Sequence, residues 1–144
     1  MKRIGICSDH TGVAYKSRLI AYLLSKGCEV VNFGTDSTES CDYPDYAHRL
    51  ATAVEAGEVD GGIAICGTGN GMAMTLNHHR GIRAGLAWSV GVARLVKEHN
   101  NANVLVLPAR FVSERMAVMM TRAWLTGEFA GGRHQRRIDK IVQP

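Results

Sequence analysis

The sequence has no apolar run of the roughly 18 residues that a membrane-spanning helix needs. It also has no cysteine pair at the C-x-x-C spacing of a zinc site. Its start, Met1-Lys2-Arg3-Ile4-Gly5-Ile6-Cys7, enters a strand-like segment at once, without the longer apolar stretch and small-residue cleavage site of a secretory leader. A cytoplasmic chain is therefore expected, with Cys7, Cys28, Cys41 and Cys66 kept as free thiols. Aromatic residues make up only 6% and do not interleave with the basic ones, which argues against a nucleic-acid surface. No internal repeat, low-complexity tract or linker divides the chain, so residues 1–144 read as one domain.

What is present is an ordinary globular composition with a local basic excess. The net charge is +4, and Arg133, Arg136, Arg137 and Lys140 concentrate it near the C-terminus. Such an end suits a phosphorylated small molecule, a nucleic acid or an anionic membrane. Strand and helix patterns alternate. Strands are expected at Lys2–Ser8, Glu29–Phe33, Gly61–Cys66, Ile82–Ala87 and Val104–Leu107. Helices are expected at Gly12–Lys26, Asp45–Ala56, from the Gly67–Gly71 turn to about Asn77, at Ser89–His99, at Ser113–Leu125 and at Arg133–Val142. In the first helix Val13, Leu19, Ile20, Leu23 and Leu24 form the apolar face. Five short apolar strands between helices predict an α/β fold, a parallel sheet covered on both faces. Ligands of such sheets bind beyond the carboxyl ends of the strands. Those ends carry Ser8-Asp9-His10, Cys66-Gly67-Thr68-Gly69-Asn70-Gly71 and Pro108-Ala109-Arg110.

The glycine turn is the strongest feature. Three glycines in five residues let main-chain N–H groups approach an anion or oxyanion. No Lys-Ser/Thr follows, so it is not a Walker loop, and Gly67-x-Gly69-x-Gly71 misses the dinucleotide fingerprint. The alternative is a tight connecting turn. Cys66 precedes it, where a helix N-terminus lowers a thiol's pKa and favours a nucleophile or base; the alternative is an inert buried cysteine. Asp9 and His10 suit sugar hydroxyls or a phosphate, or else Asp9 or Thr11 simply caps the following helix. His99-Asn100-Asn101 either faces a ligand or simply ends its helix. Arg133 and Arg137, four apart, share a helix face and can converge on one phosphate with Arg110, or form a solvated basic face. This last helix follows Gly131-Gly132 and is positioned to reach a second copy of the chain. His48, His78 and His79 are given no role, and the basic Asn77-His78-His79-Arg80 stretch has no functional account.

Seven segments in order resemble the type B ribose-5-phosphate isomerases, a group that includes galactose-6-phosphate and allose-6-phosphate isomerases. They are Ser8–Gly12, Asp42–Ala47, Gly61–Gly71, Asn77, Gly81–Ala84, Glu98–Leu105 and Gly131–Arg137. The resemblance implies a three-layer, Rossmann-like α/β/α sandwich with a five-stranded parallel sheet of order 2-1-3-5-4. It implies a homodimer with shared active sites, or a tetramer built from it, and no metal or organic cofactor. It implies Cys66 as the base that interconverts ribose 5-phosphate and ribulose 5-phosphate through an enediolate, assisted by Thr68. Gly67, Gly69, Asn70 and Gly71 would hold the enediolate oxygen. Asp9 and His99, the latter from the partner subunit, would open the sugar ring. His10, Arg110, Arg133 and Arg137 would grip the phosphate, and Asn100 would contact hydroxyls. Pro108 stands where the family pattern has glycine, which puts Arg110's approach in question. The rival readings are an isomerase of a six- or four-carbon sugar phosphate, a non-catalytic sugar-phosphate or nucleotide sensor, and a basic nucleic-acid-binding protein.

Overall fold

In a computed structural model that describes residues 1–143, five parallel strands form one sheet of order β2-β1-β3-β5-β4. They are β1 (Arg3–Ser8), β2 (Glu29–Asn32), β3 (Gly61–Cys66), β4 (Ala84–Leu86) and β5 (Val104–Pro108). The helices are α1 (Val13–Ser25), α2 (Tyr43–Glu55), α3 (Asn70–Leu76), α4 (Val90–Asn100), α5 (Glu114–Thr126) and α6 (Arg133–Ile138). The apolar pattern anticipated the doubly covered parallel sheet, and the family resemblance its strand order.

Two cores flank the sheet because both faces are covered, which is why the central strands are apolar throughout rather than alternating. Ile4, Ile6, Ile63, Ile65, Leu105 and Leu107 point to the face of α1, α4 and α5, where Leu19, Leu23 and Trp124 pack. Cys7, Ala64, Cys66, Val104 and Val106 point the other way, against Leu50 of α2 and Met72 and Leu76 of α3. Trp124 is fully buried and its indole N–H donates to the Ala102 carbonyl at 2.9 Å, locking α5 to the loop ahead of β5.

Several element boundaries differ from expectation for local reasons. β4 is shorter than Ile82–Ala87 because β5 begins at Val104, which faces Ala84; Ile82 and Arg83 have no strand beside them, and the Arg83 N–H bonds to Asn103 Oδ1 instead. α2 starts before Pro44, since a proline in the first turn loses no helical hydrogen bond. The segment before α1 is a separate 3-10 turn, His10–Gly12. On α1 Leu24 is exposed, and Lys16 is buried with Leu19 and Leu23. The Lys16 ammonium is paired with Asp36 and with Asn32 Oδ1, which allows its burial. α6 ends at Ile138 rather than Val142, continuing only as turns through Ile141. Among the described residues no helix is long and apolar enough to cross a membrane.

Candidate active site

The carboxyl edge of the sheet gathers one set of the anticipated residues. β3 ends at Cys66, and the Gly67–Gly69 turn leads into α3. Gly69 has φ +77°, a left-handed conformation that a side chain disfavours, and a Cβ there would meet Leu86 Cδ1 at 2.3 Å. Gly71 lies under the Tyr43 ring, 2.4 Å from where its Cβ would stand. The turn is thus clamped between β4 and the start of α2.

Cys66 is 4% exposed. Burial pushes its thiol pKa up, and the charge of Asp9 adds to the rise; the nearby main-chain N–H groups of Met72, Gly69 and Thr68 pull the other way. The expected lowering by a helix N-terminus is therefore present but outweighed, because desolvation disfavours the charged form more than the amides favour it. Cys7, wholly buried beside it, is raised by burial, then by Cys66, and keeps its proton. It plays the structural part expected of it.

Asp9, 7% exposed, accepts from the Thr11 N–H at 2.9 Å and the Thr11 hydroxyl at 2.6 Å. It caps the 3-10 turn, so the capping alternative holds, and it also lies close enough to act on Cys66. His10 Nδ1 accepts from the Cys41 N–H at 3.3 Å, which leaves Nε2 carrying the proton in the neutral ring. Cys41 therefore orients His10, a link across 31 residues of sequence. Thr68 Oγ1 accepts from the Asn70 N–H at 3.2 Å. Pro108 does not disturb Arg110. It faces Cys66 as the last residue of β5, the Ala109 N–H bonds to Cys66 O and the Arg110 N–H to Gly67 O, both at 2.9 Å. The Arg110 side chain lies along Gly67, where a Cβ would meet its Cδ at 3.2 Å.

The second set lies at the opposite edge. α4 runs back against the strands, so His99 and Asn100 stand near the start of β5, where Asn103 O accepts from the Gly62 N–H at 2.9 Å. Gly62 and Cys66 are four residues apart, roughly 13 Å along an extended strand. Asn101 closes α4 in the left-handed conformation at φ 47°, and Arg83 donates to the Asn100 and Asn101 carbonyls. α6 packs on this end. The His99 and His134 rings stack with centroids 4.3 Å apart and planes 12° apart. His99, Asn100, His134, Arg137 and Ile138 line a groove of about 360 Å³. Arg133, Arg136 and Arg137 are exposed. Burial, then His99, Arg133 and Arg137, lower the His134 pKa, so it is neutral near pH 7. Reading the sequence missed His134; the spacing of His134 and Ile138, the inward face of α6, was the available sign. It missed Cys41 and Tyr43 as well, which no local pattern marks.

A doubly covered parallel sheet with a cysteine, a glycine turn and an arginine at its carboxyl edge is the architecture of an open α/β enzyme, whose ligands bind beyond the carboxyl ends of the strands. The model of the ribose/galactose isomerase family matches residues 4–141. Ribose-5-phosphate isomerase B of Escherichia coli is 45% identical over 142 residues, spanning 99% of this chain and 95% of that protein. A crystal structure of ribose 5-phosphate isomerase from Thermotoga maritima has a TM-score of 0.95 at 47% identity, covering 97% of each chain. Ribose-5-phosphate isomerase B from Mycoplasma genitalium, with bound ribulose-5-phosphate, has a TM-score of 0.93 at 42% identity over 97% of this chain and 93% of that one. The chain belongs to the ribose/galactose isomerase family, and it is a sugar-phosphate isomerase.

Proposed function

We propose that the chain, acting as one catalytic domain, interconverts ribose 5-phosphate and ribulose 5-phosphate, with Cys66 as the base and a second copy of the chain completing each site. The setting of Cys66 carries the reading: a thiol at the carboxyl end of β3, at the ligand-facing edge, directly before the glycine turn that opens α3. The Cys66 thiolate takes the C2 proton of the open-chain aldose. The electron pair enters the C1–C2 bond and the C1 carbonyl oxygen becomes the oxyanion. The proton on O2 passes to O1, and the Cys66 thiol returns its proton to C1. An enediolate needs preorganised donors, and the amides of Gly67, Gly69, Asn70 and Gly71 supply them, with Thr68 assisting the base. Asp9 and His99 open the ring, and Asn100 meets the hydroxyls. His10 and Arg110, with Arg133 and Arg137, hold the phosphate, whose binding energy orients the reacting carbons. No step requires a metal or organic cofactor.

The homodimer is supported by the separation of the two residue sets, which one chain cannot bring together. The carboxyl edge also exposes Trp88 and Phe111, at 61% and 73%, just after β4 and beyond β5. Large exposed apolar side chains of this kind mark contact surfaces. The ribulose-5-phosphate complex of the Mycoplasma relative supports the pentose phosphate over six- or four-carbon substrates.

A coupled assay across ribose 5-phosphate, allose 6-phosphate and erythrose 4-phosphate, with chelator present, tests the substrate. Preference for either of the others would refute the pentose assignment. Mixing inactive Cys66→Ala and His99→Ala chains tests the shared site. After random exchange half the dimers are mixed and one of their two sites is intact, so about a quarter of the wild-type activity returns. No recovery on mixing would place each site within one chain.

A further inference from the structure

Outside the two edges, a line of three titratable side chains joins α2 to the loop after α3. His48 Nδ1 lies 2.7 Å from His79 Nε2, and His79 Nδ1 lies 2.8 Å from Glu55 Oε1. Glu55 Oε2 accepts from the Gly81 N–H at 3.0 Å. His48 and Glu55 are seven apart on α2, two turns along one face, so His79 fits between them. His79 belongs to the His78-His79 stretch that the isomerase chemistry leaves unused.

We propose that His48 and His79 form a site for a divalent transition-metal ion, with Glu55 as the positioning residue that orients His79. The carboxylate fixes His79 with its proton on Nδ1, leaving the Nε2 lone pair aimed at His48. A carboxylate behind an imidazole is the usual outer support of a metal-bound histidine. In the metal-free chain one proton lies between the two rings, donated by His48 Nδ1. When an ion enters, that proton moves to His48 Nε2, and both facing nitrogens become ligands. Metal–nitrogen bonds of about 2.0–2.1 Å at a tetrahedral angle put the nitrogens about 3.3 Å apart. The rings must part by only about 0.6 Å from the spacing in the free chain. His48 is exposed on its helix, and the rings are tilted by 53° with centroids 5.0 Å apart, so a small side-chain rotation suffices.

No group of three or more His, Cys, Asp and Glu donors able to hold a metal occurs among the described residues. Water therefore fills the remaining positions, and the ion exchanges freely. Two imidazoles select Cu²⁺, Ni²⁺ or Zn²⁺ over Mg²⁺ and Ca²⁺, which prefer oxygen. Arg49, next to His48, is drawn over the Tyr46 ring at 4.9 Å, and Arg80, next to His79, is exposed.

The test is calorimetric titration of the tag-free full chain with Ni²⁺, alongside His48→Ala, His79→Ala, the double variant and Glu55→Gln. Wild type shows one saturable site that either histidine variant abolishes. Glu55→Gln weakens it by about tenfold to a hundredfold, the usual effect of losing such a support. Ni²⁺ raises the melting temperature of wild type and not of the double variant. Metal-free isomerase turnover stays at the wild-type level in His48→Ala, which shows that the variant is folded. An isotherm of wild type that superimposes on that of the double variant overturns the proposal, because binding then lies elsewhere, for instance at His10 and Cys41.

Discussion

At the carboxyl edge Cys66 and Asp9 are each less than a tenth exposed and Asp9 is held by the Thr11 main-chain N–H, whereas at the amino edge Arg133 and Arg137 stand in solvent on a six-residue helix. The first edge is preorganised, as a reacting centre requires. The second presents charge where it can meet an incoming phosphate. The same contrast appears in titration. Burial raises the Cys66 thiol and lowers the His134 imidazole, because in each case it disfavours the charged form.

The largest expected effect breaks the carboxyl edge chemically. Cys66→Ala lowers kcat by at least about 10²–10⁴, the typical worth of a positioned acid–base group, with an unchanged circular dichroism spectrum. Turnover near wild type would remove Cys66 as the base. At the amino edge, Arg137→Ala is expected to act on KM, with kcat much less affected. Losing a charge-assisted contact of about 1.5–3 kcal/mol corresponds to roughly tenfold to a hundredfold. An Arg137→Ala enzyme with wild-type KM would mean that the exposed basic face is only solvated.

Gly69→Ala attacks the preorganisation rather than the chemistry. Forcing an alanine into the left-handed region costs roughly 1–2 kcal/mol before the contact with Leu86 is added. Urea denaturation measures that loss, and a lower kcat should accompany it. The smallest effect separates the edges by pH. Free-enzyme kcat/KM should rise up to and beyond pH of about 8.5, the ordinary thiol value, as Cys66 ionises. For His134 the folded chain binds fewer protons than the unfolded one. Stability is therefore full above about pH 6.5 and declines as the pH falls below it. Replacing His134 with Asn should flatten that decline in acid-denaturation curves.

Much of the carboxyl edge was readable because its residues are neighbours in sequence. Ser8-Asp9-His10 and Cys66 to Gly71 each end a strand, and the rule for parallel sheets puts strand ends beside the ligand. The contacts that tune them were not readable. Cys41 on His10, Tyr43 over Gly71 and the pairing of buried Lys16 with Asp36 cross loops whose path the hydrophobic pattern leaves open. Leu24 looked like core yet is exposed, while Lys16 is buried, because periodicity records which face a residue occupies but not what partner awaits it.

The order of apolar runs and glycine turns determined the sheet, its two covered faces and the place of Cys66, since these follow from local periodicity and from burying apolar surface. Only the tertiary structure decided that burial outweighs the amides at Cys66 and that His99 and Arg137 lie a strand's length away. Desolvation and distance depend on segments far apart in the chain, and a linear sequence does not carry either quantity.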